Sequence, residues 1–188
     1  MELFLASRSP RRRELLEAAG IPFRCVSGDV DESLAPGMTP EQAVRTLAVA
    51  KARKGAENCT GGIVLGADTL VALGDEILGK PLDREDARRM LRGLSGSCHR
   101  VLTGVALLRV ADGRLLVEHA CTQVHMRELT EAEVAAYVAS GESDDKAGAY
   151  AIQETADRFV TRIDGPYDNV VGLPVSLVQR MLQELSRP

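Results

Sequence analysis

Apolar positions in the first half of the chain form short continuous runs that alternate with longer segments of mixed polarity. Short runs bounded by turn residues predict strands, and segments opened by a capping residue or proline predict helices. The predicted strands are Leu3–Ala6, Phe23–Ser27 and Ile63–Ala67, and the predicted helices are Pro10–Ala19, Pro40–Glu57 and Asp83–Arg92, with Ser9, Thr39 and Asp83 as caps. Ile63–Ala67 is apolar throughout, which is typical of a strand buried on both faces.

From Val101 onward, long β-rich runs replace this alternation. Val101–Val110 and Leu115–Met126 flank a turn at Ala111–Gly113, which predicts a β-hairpin. The other predicted elements are a helix opened by a capping box at Thr130–Glu133, short strands around Ala149–Gln153 and Phe159–Ile163, and a helix from Pro174 to about Leu185. This order indicates an α/β fold with a mixed twisted sheet flanked by helices. We expect a single domain over residues 1–188, with an active-site cleft between two lobes.

Composition narrows the class of protein. The net charge of −4 gives no overall attraction to nucleic acid, and 3% aromatic residues with no Trp argue against a base-stacking surface. The four cysteines lie far apart, which favours reduced thiols. The sequence shows neither a signal peptide nor an apolar segment of membrane-spanning length. We therefore expect a soluble cytoplasmic protein without a nucleic-acid or membrane partner.

The first strand-to-helix junction is the most basic part of the chain. Ser7 and Ser9 stand beside Pro10, and four arginines follow within a few residues: Arg8, Arg11, Arg12 and Arg13. Hydroxyls, guanidinium groups and the N-terminus of a helix all favour phosphate. One helical turn cannot point every arginine inward, so we expect one or two of them to face a ligand and the others to be solvated.

Asp68 is the strongest acidic candidate, because it directly follows the buried run Ile63–Ala67 and open α/β sheets bind ligands at strand ends. The competing interpretation is a turn in which Asp68 bonds its own backbone. Lys80, between Gly79 and Pro81, is predicted to project from a fixed loop. By position alone, Glu32 belongs to a solvated loop and Lys51 to a helix surface.

The histidines and cysteines lack zinc-ligand spacing, and GxxxxGK[ST] is missing from the sequence. A metal here is expected to be Mg²⁺ or Mn²⁺, held by carboxylate and phosphate oxygens. Lysines and arginines can bind several phosphates, and carboxylates can hold a cation and a water. This set of residues fits hydrolysis of a phosphoanhydride.

Six blocks of the sequence closely resemble the Maf family. They are Ser7-x-Ser9-Pro10-Arg11-Arg12-x-Glu14-Leu15-Leu16, Gly66-Ala67-Asp68-Thr69, Gly79-Lys80-Pro81, Ser95-Gly96-x-x-His99-x-Val101-x-Thr103-Gly104-Val105, Asp145-Lys146-Ala147-Gly148-Ala149-Tyr150-x-Ile152-Gln153 and Asn169-Val170-Val171-Gly172-Leu173-Pro174. They run in order through almost the whole chain. Each block alone is weak, and all six together are highly specific.

The resemblance implies an inosine-triphosphatase-like fold and a nucleoside triphosphate pyrophosphatase. Such an enzyme cleaves between the α and β phosphates with a divalent cation. Carried over by position, Asp68 is the catalytic acid or base, and with Glu32 it holds the metal. The other implied catalytic residues are Lys51, Lys80 and Arg12, and the implied substrate-binding residues are Ser7, Ser9, Arg11, Thr69 and Gln153. Of the four arginines at the first junction, Arg11 and Arg12 are then the ones expected to face the ligand, and Arg8 and Arg13 are expected to be solvated. A homodimer is also implied.

Arg11, Thr69 and Gln153 match the dTTP/UTP type of the family, whereas the branch acting on 7-methylguanosine triphosphate tends to have Trp, Gln and Glu. A glutamine amide offers both a donor and an acceptor to a pyrimidine edge. Two other functions stay open. One is a nucleotide-binding regulator, since the family is associated with inhibition of septum formation, and the other is an RNA-binding module that uses the arginines.

Overall fold

The computed structural model describes residues 2–144, 146–153 and 155–187. The strands are β1 (Leu3–Ala6), β2 (Arg24–Val26), β3 (Ile63–Leu73), β4 (Glu76–Leu78), β5 (Cys98–Arg109), β6 (Leu115–Met126) and β7 (Val160–Asp164). The helices are α1 (Pro10–Ala18), α2 (Pro40–Ala56), α3 (Arg84–Leu94), α4 (Glu131–Ser140), α5 (Tyr167–Val171) and α6 (Val175–Leu185), with short 3-10 helices at Ala147–Ala149 and Thr155–Phe159. Along the described chain, no helix combines the length and apolar character needed to span a membrane.

The strands form one mixed sheet in the order β2-β1-β3-β5-β6-β7, with β4 added to β3. β1 runs parallel to both β2 and β3, whereas β3–β4 and β6–β7 are antiparallel pairs. Helices separate the parallel strands in sequence, as the geometry of a parallel connection requires. The predicted mixed sheet flanked by helices is therefore confirmed.

The chain divides into two compact units. Unit 1 comprises residues 1–69, 103–120 and 172–188, and unit 2 comprises residues 70–102 and 121–171. The core of unit 1 joins β1, β3 and β5 to α1 and α6, with Leu5, Leu65, Leu107 and Met181 all fully buried. The core of unit 2 contains Leu91, Leu94, Tyr137 and Phe159. The expectation of one functional domain stays a prediction.

Helix α2 lies unusually close to the sheet in unit 1. A methyl group on Gly66 of β3 would overlap the Ala48 carbonyl oxygen, and one on Gly104 of β5 would overlap that of Val44. Only glycine permits such an approach of two backbones. α2 begins at a capping box in which Thr39 and Gln42 bond each other's backbone N–H groups. The cap and the glycines together fix which face of α2 meets β3.

Two sequence-based expectations about secondary structure were wrong. β3 does not end at Ala67 but continues through Asp68 and Thr69 to Leu73, because the apolar residues Leu70–Leu73 extend the buried pattern. Ala149–Gln153 is not a strand, since Gly148 and Ala149 both have left-handed backbone angles, with φ of 70° and 60°. Left-handed residues cannot continue a β-ladder. Strand β4 and helix α5 were not predicted from the sequence.

Candidate active site

A lysine shared by two carboxylates forms the centre of the candidate site in unit 1. Lys51 Nζ lies 2.6 Å from Asp68 Oδ1 and 2.7 Å from Glu32 Oε1. Lys51 comes from α2, Asp68 from β3 and Glu32 from the loop after β2. The side chains of Lys51 and Asp68 are only 11% and 8% exposed, whereas that of Glu32 is 54% exposed. The structure thus brings together three predicted residues, with one carboxylate deep and one near solvent.

The close approach at Gly66 explains why Lys51 points inward. Alternate residues of a strand face the same side, so Gly66 and Asp68 both face α2. Gly66 meets the backbone of Ala48 and Ala52, which flank Lys51 on the helix. The lysine therefore reaches Asp68 at hydrogen-bond distance instead of extending into solvent.

Burial and nearby positive charges have opposite effects on the pKa of Asp68. Burial raises its pKa above the ordinary value, while the positive charges of Lys51 and Arg12 act in the opposite direction. Its second oxygen, Oδ2, is buried and has no hydrogen-bond partner among the described residues. An oxygen in this state favours a proton, a water molecule or a cation. These properties suit the acid/base role that the resemblance implies for Asp68.

Arg12 organises a second set of contacts on the other side of β3. Its Nε donates to the Gly172 carbonyl at 2.9 Å, Nη1 to Ser7 Oγ at 3.2 Å and Nη2 to Thr69 Oγ1 at 3.1 Å. Burial lowers the pKa of this guanidinium, and the negative charge of Asp68 opposes that shift. Three of its five N–H groups thus have acceptors within the protein.

Thr69 is held at the centre of the same network. Its hydroxyl lies 3.0 Å from Thr103 Oγ1 and 3.4 Å from the Gly172 carbonyl oxygen, besides its contact with Arg12. No role was expected for Thr103 or Gly172 from the sequence, although both lie within the six Maf-like blocks. A lone threonine in the buried apolar stretch of β5 was the available signal for Thr103. The carbonyl of Gly172 left no signal in the sequence, because any residue has one.

The basic junction after β1 offers fewer side chains to a ligand than its sequence suggests. Ser9 occupies the N-cap position of α1, but its side chain makes no capping hydrogen bond, and its N–H donates to Ser7 Oγ at 3.2 Å. Arg11 is half-buried. Arg8 pairs with Asp29 at 2.6 Å on the surface, which agrees with the expectation that it is not a ligand-facing residue.

The two remaining predicted residues, Lys80 and Gln153, belong to unit 2 and are exposed. Lys80 follows β4, and Gln153 follows the buried residues Ala151 and Ile152. Neither takes part in the Lys51 or Arg12 contacts of unit 1. Their assignment to the same site stays a prediction that rests on the resemblance.

The carboxylates of unit 1 fit a hard divalent cation that keeps most of its ligands outside the protein. Mg²⁺ usually takes one or two protein carboxylates together with waters and substrate phosphates. Asp68 offers the unpartnered Oδ2, and Glu32 offers a half-exposed carboxylate joined to the same lysine. In the described ranges, no group of three or more His, Cys, Asp or Glu residues could enclose a metal without substrate.

The candidate site of unit 1 therefore combines a buried, lysine-paired carboxylate with an arginine-rich strand-to-helix junction. The family described as Maf-like protein matches residues 2–185. The chain therefore belongs to the Maf family, as the six sequence blocks predicted.

Curated relatives match along nearly their full length. A dTTP/UTP pyrophosphatase of Geobacillus sp. (strain WCH70) is 49% identical over 184 residues, which is 98% of each chain. That of Pelotomaculum thermopropionicum is 46% identical, covering 97% of this chain and 96% of its own. Among solved structures, the Ham1 protein of Staphylococcus aureus is 14% identical and covers 99% of this chain and 100% of its own, with a TM-score of 0.56. This likeness confirms the predicted fold.

Proposed function

We propose that this chain hydrolyses the α–β phosphoanhydride of dTTP and UTP, releasing the nucleoside monophosphate and pyrophosphate. The observation that carries the proposal is the buried pair Lys51–Asp68, with Glu32 on the same lysine. The full-length similarity to relatives named dTTP/UTP pyrophosphatase supports the reaction and the substrates.

Asp68 is the proposed general base. Its Oδ2 orients a water molecule and accepts the water's proton as the oxygen attacks the α-phosphorus, while the bond from that phosphorus to the α–β bridging oxygen breaks and pyrophosphate leaves. A carboxylate whose pKa is raised by burial is a better proton acceptor than an exposed one. Lys51 holds Oδ1 and so fixes the direction of Oδ2.

Asp68 and Glu32 would hold Mg²⁺ or Mn²⁺, which would supply positive charge next to the phosphates and the leaving group. The chain itself supplies further positive charge from Arg11, Arg12, Lys51 and Lys80 and hydroxyls from Ser7 and Ser9. The position of the Ser9 hydroxyl, which does not cap α1, supports a ligand-binding role.

We assign the reading of the base to Gln153, and we keep Thr69 among the substrate-binding residues. The contacts of the Thr69 hydroxyl support a contribution through Arg12, whose guanidinium it helps to fix. The exposure of Gln153 supports direct contact with a base. A cytoplasmic location and a homodimer stay predictions from cysteine usage and family resemblance.

A substrate panel tests the proposal. We expect pyrophosphate release from dTTP and UTP with Mg²⁺ or Mn²⁺, and much slower release from CTP and 7-methyl-GTP. Measured binding of dTTP without turnover of any triphosphate would contradict the enzyme and favour the nucleotide-binding regulator. Retention on RNA, with a steep salt dependence, would favour the RNA-binding module.

A further inference from the structure

A buried histidine–tyrosine pair in unit 2 lies outside the residues given a role so far. His99, on β5, is 1% exposed, and its Nε2 lies 2.6 Å from the hydroxyl of Tyr150. The two rings are nearly perpendicular, with centroids 5.4 Å apart. His99 Nδ1 is buried without a hydrogen-bond partner among the described residues, so Tyr150 is the only polar contact the structure gives this imidazole.

Tyr150 ends a backbone segment with an unfavourable conformation. Gly148 has φ of 70°, and the next residue, Ala149, has φ of 60°. Across the described ranges, Ala149 is the one residue other than glycine with positive φ, and it is fully buried. A non-glycine residue stays left-handed only where its surroundings hold it there. The side chain that follows directly, Tyr150, supplies such an anchor.

Gly148 joins this segment to the loop that carries Lys80. Its N–H donates to the Gly79 carbonyl at 3.0 Å, and a methyl group on Gly148 would come within 3.0 Å of Val71. The close contact with Val71 and the positive φ therefore both favour glycine at this position. Beyond Tyr150, Ala151 and Ile152 are buried, and the chain then exposes Gln153. The same backbone segment thus carries Gln153 and is hydrogen-bonded to Gly79, the residue before Lys80.

We infer that His99 and Tyr150 are positioning residues for nucleotide recognition: their contact fixes segment 146–153, which carries Gln153 and holds the Lys80 loop. This inference rests on the proposed function, because it takes Gln153 as the residue that reads the base. Neither ring touches the nucleotide. The pair acts by restricting the backbone conformations from which Gln153 and Lys80 extend.

The test compares Tyr150→Phe with two matched variants. Tyr150→Phe keeps the ring and removes the hydroxyl, and we expect KM for dTTP to rise about tenfold, with kcat changed less than twofold. The preference for dTTP over CTP, expressed as a ratio of kcat/KM values, falls as it does in Gln153→Ala. Ala149→Gly lies in the same segment but keeps the pair, so KM and the preference stay within twofold of wild type.

A double variant separates positioning from general loosening. If Tyr150 acts through Gln153, adding Tyr150→Phe to Gln153→Ala lowers the dTTP preference no further, whereas independent effects multiply. If Tyr150→Phe does not fold, His99→Leu removes the same contact from the other side, and the same loss of preference is expected.

Failure of the proposed function appears in the wild-type protein, as no release of pyrophosphate from dTTP or UTP. Failure of the inference alone appears when wild type and Gln153→Ala behave as proposed but a folded Tyr150→Phe or His99→Leu keeps the wild-type KM and dTTP preference. Equal loss of preference in Ala149→Gly would also overturn it.

Discussion

The two units hold their candidate functional residues in opposite ways. In unit 1, Lys51, Asp68 and Arg12 are buried and fixed by side-chain contacts with one another or with their neighbours. In unit 2, Lys80 and Gln153 are exposed, and the backbone segments that carry them are joined by a hydrogen bond between main-chain groups. A reacting carboxylate needs a controlled charge environment, whereas a residue that meets a substrate needs only a fixed starting point. Substitutions in the two units are therefore expected to change the kinetics in different ways.

Substitution of the buried carboxylate Asp68 is expected to lower the rate most strongly. Asp68→Asn keeps the size of the side chain but removes the base, and we expect kcat for dTTP to fall by about 10³-fold, within the usual range for a general base. Binding of a non-hydrolysable dTTP analogue stays within a few-fold of wild type. The control is Asp112→Asn, which breaks a surface ion pair with Arg109 in unit 1. Wild-type turnover by Asp68→Asn would remove Asp68 from the mechanism.

The next effect is at the shared lysine. Lys51→Met removes the hydrogen-bonded countercharge of a buried carboxylate, and breaking a buried ion pair typically costs about 3–5 kcal/mol in stability. Lys51 lowers the pKa of Asp68, so its loss raises that pKa further. Because the base must be ionised, the acidic limb of the pH profile of kcat/KM moves to higher pH in the variant. An acidic limb that stays in place or moves to lower pH would contradict this account of the pair. Lys54→Met is the control, because Lys54 pairs with Glu57 on the exposed face of the same helix.

A smaller effect tests the network around Arg12. Thr69→Ala removes a hydroxyl that bonds Arg12 and Thr103, and one such bond corresponds to about tenfold in KM for dTTP. Thr69→Ser keeps the hydroxyl and is expected to behave like wild type. Steady-state kinetics on both variants decide the point, and equal KM values for alanine and serine would show that the network has no part in binding.

The effect of pH on stability tests the order within unit 2. Burial lowers the pKa of His99 to about 4, below its ordinary value of 6.5. Between these pH values the unfolded chain binds a proton that the folded chain does not, so stability falls as the pH drops. From pH 7 to pH 4 this loss is about 3 kcal/mol. Urea unfolding at both pH values gives the loss of unfolding free energy, and we expect wild type to lose more than His99→Gln does. An equal loss in the two proteins would contradict a buried neutral His99.

The elements with local signals were predictable from the sequence. The capping residues Thr39 and Thr130 mark helices α2 and α4, and both capping boxes form. The turn before Arg114 likewise marks the β5–β6 hairpin. In each case the signal lies within a few residues of the structure it determines, so one stretch of sequence was sufficient.

Features that depend on contacts between residues far apart in the sequence could not be predicted from local signals. Lys51 has the sequence context of a surface lysine, and only the approach of α2 to Gly66 turns it inward. Asp68 interrupts an apolar run, which suggested a strand end, yet the countercharge on α2 lets the strand continue through it. The left-handed conformation of Ala149 also gave no local signal, and Tyr150 next to it contacts His99, which is far away in sequence.

The position of bond cleavage distinguishes attack of water on the α-phosphorus from attack on the other two phosphorus atoms. A single turnover of dTTP in ¹⁸O-labelled water, analysed by mass spectrometry of both products, shows which phosphorus the water attacks. Attack on the α-phosphorus, as proposed for the water held by Asp68, places the label in dTMP and leaves pyrophosphate unlabelled. Label in pyrophosphate, or release of inorganic phosphate in place of pyrophosphate, would contradict the account.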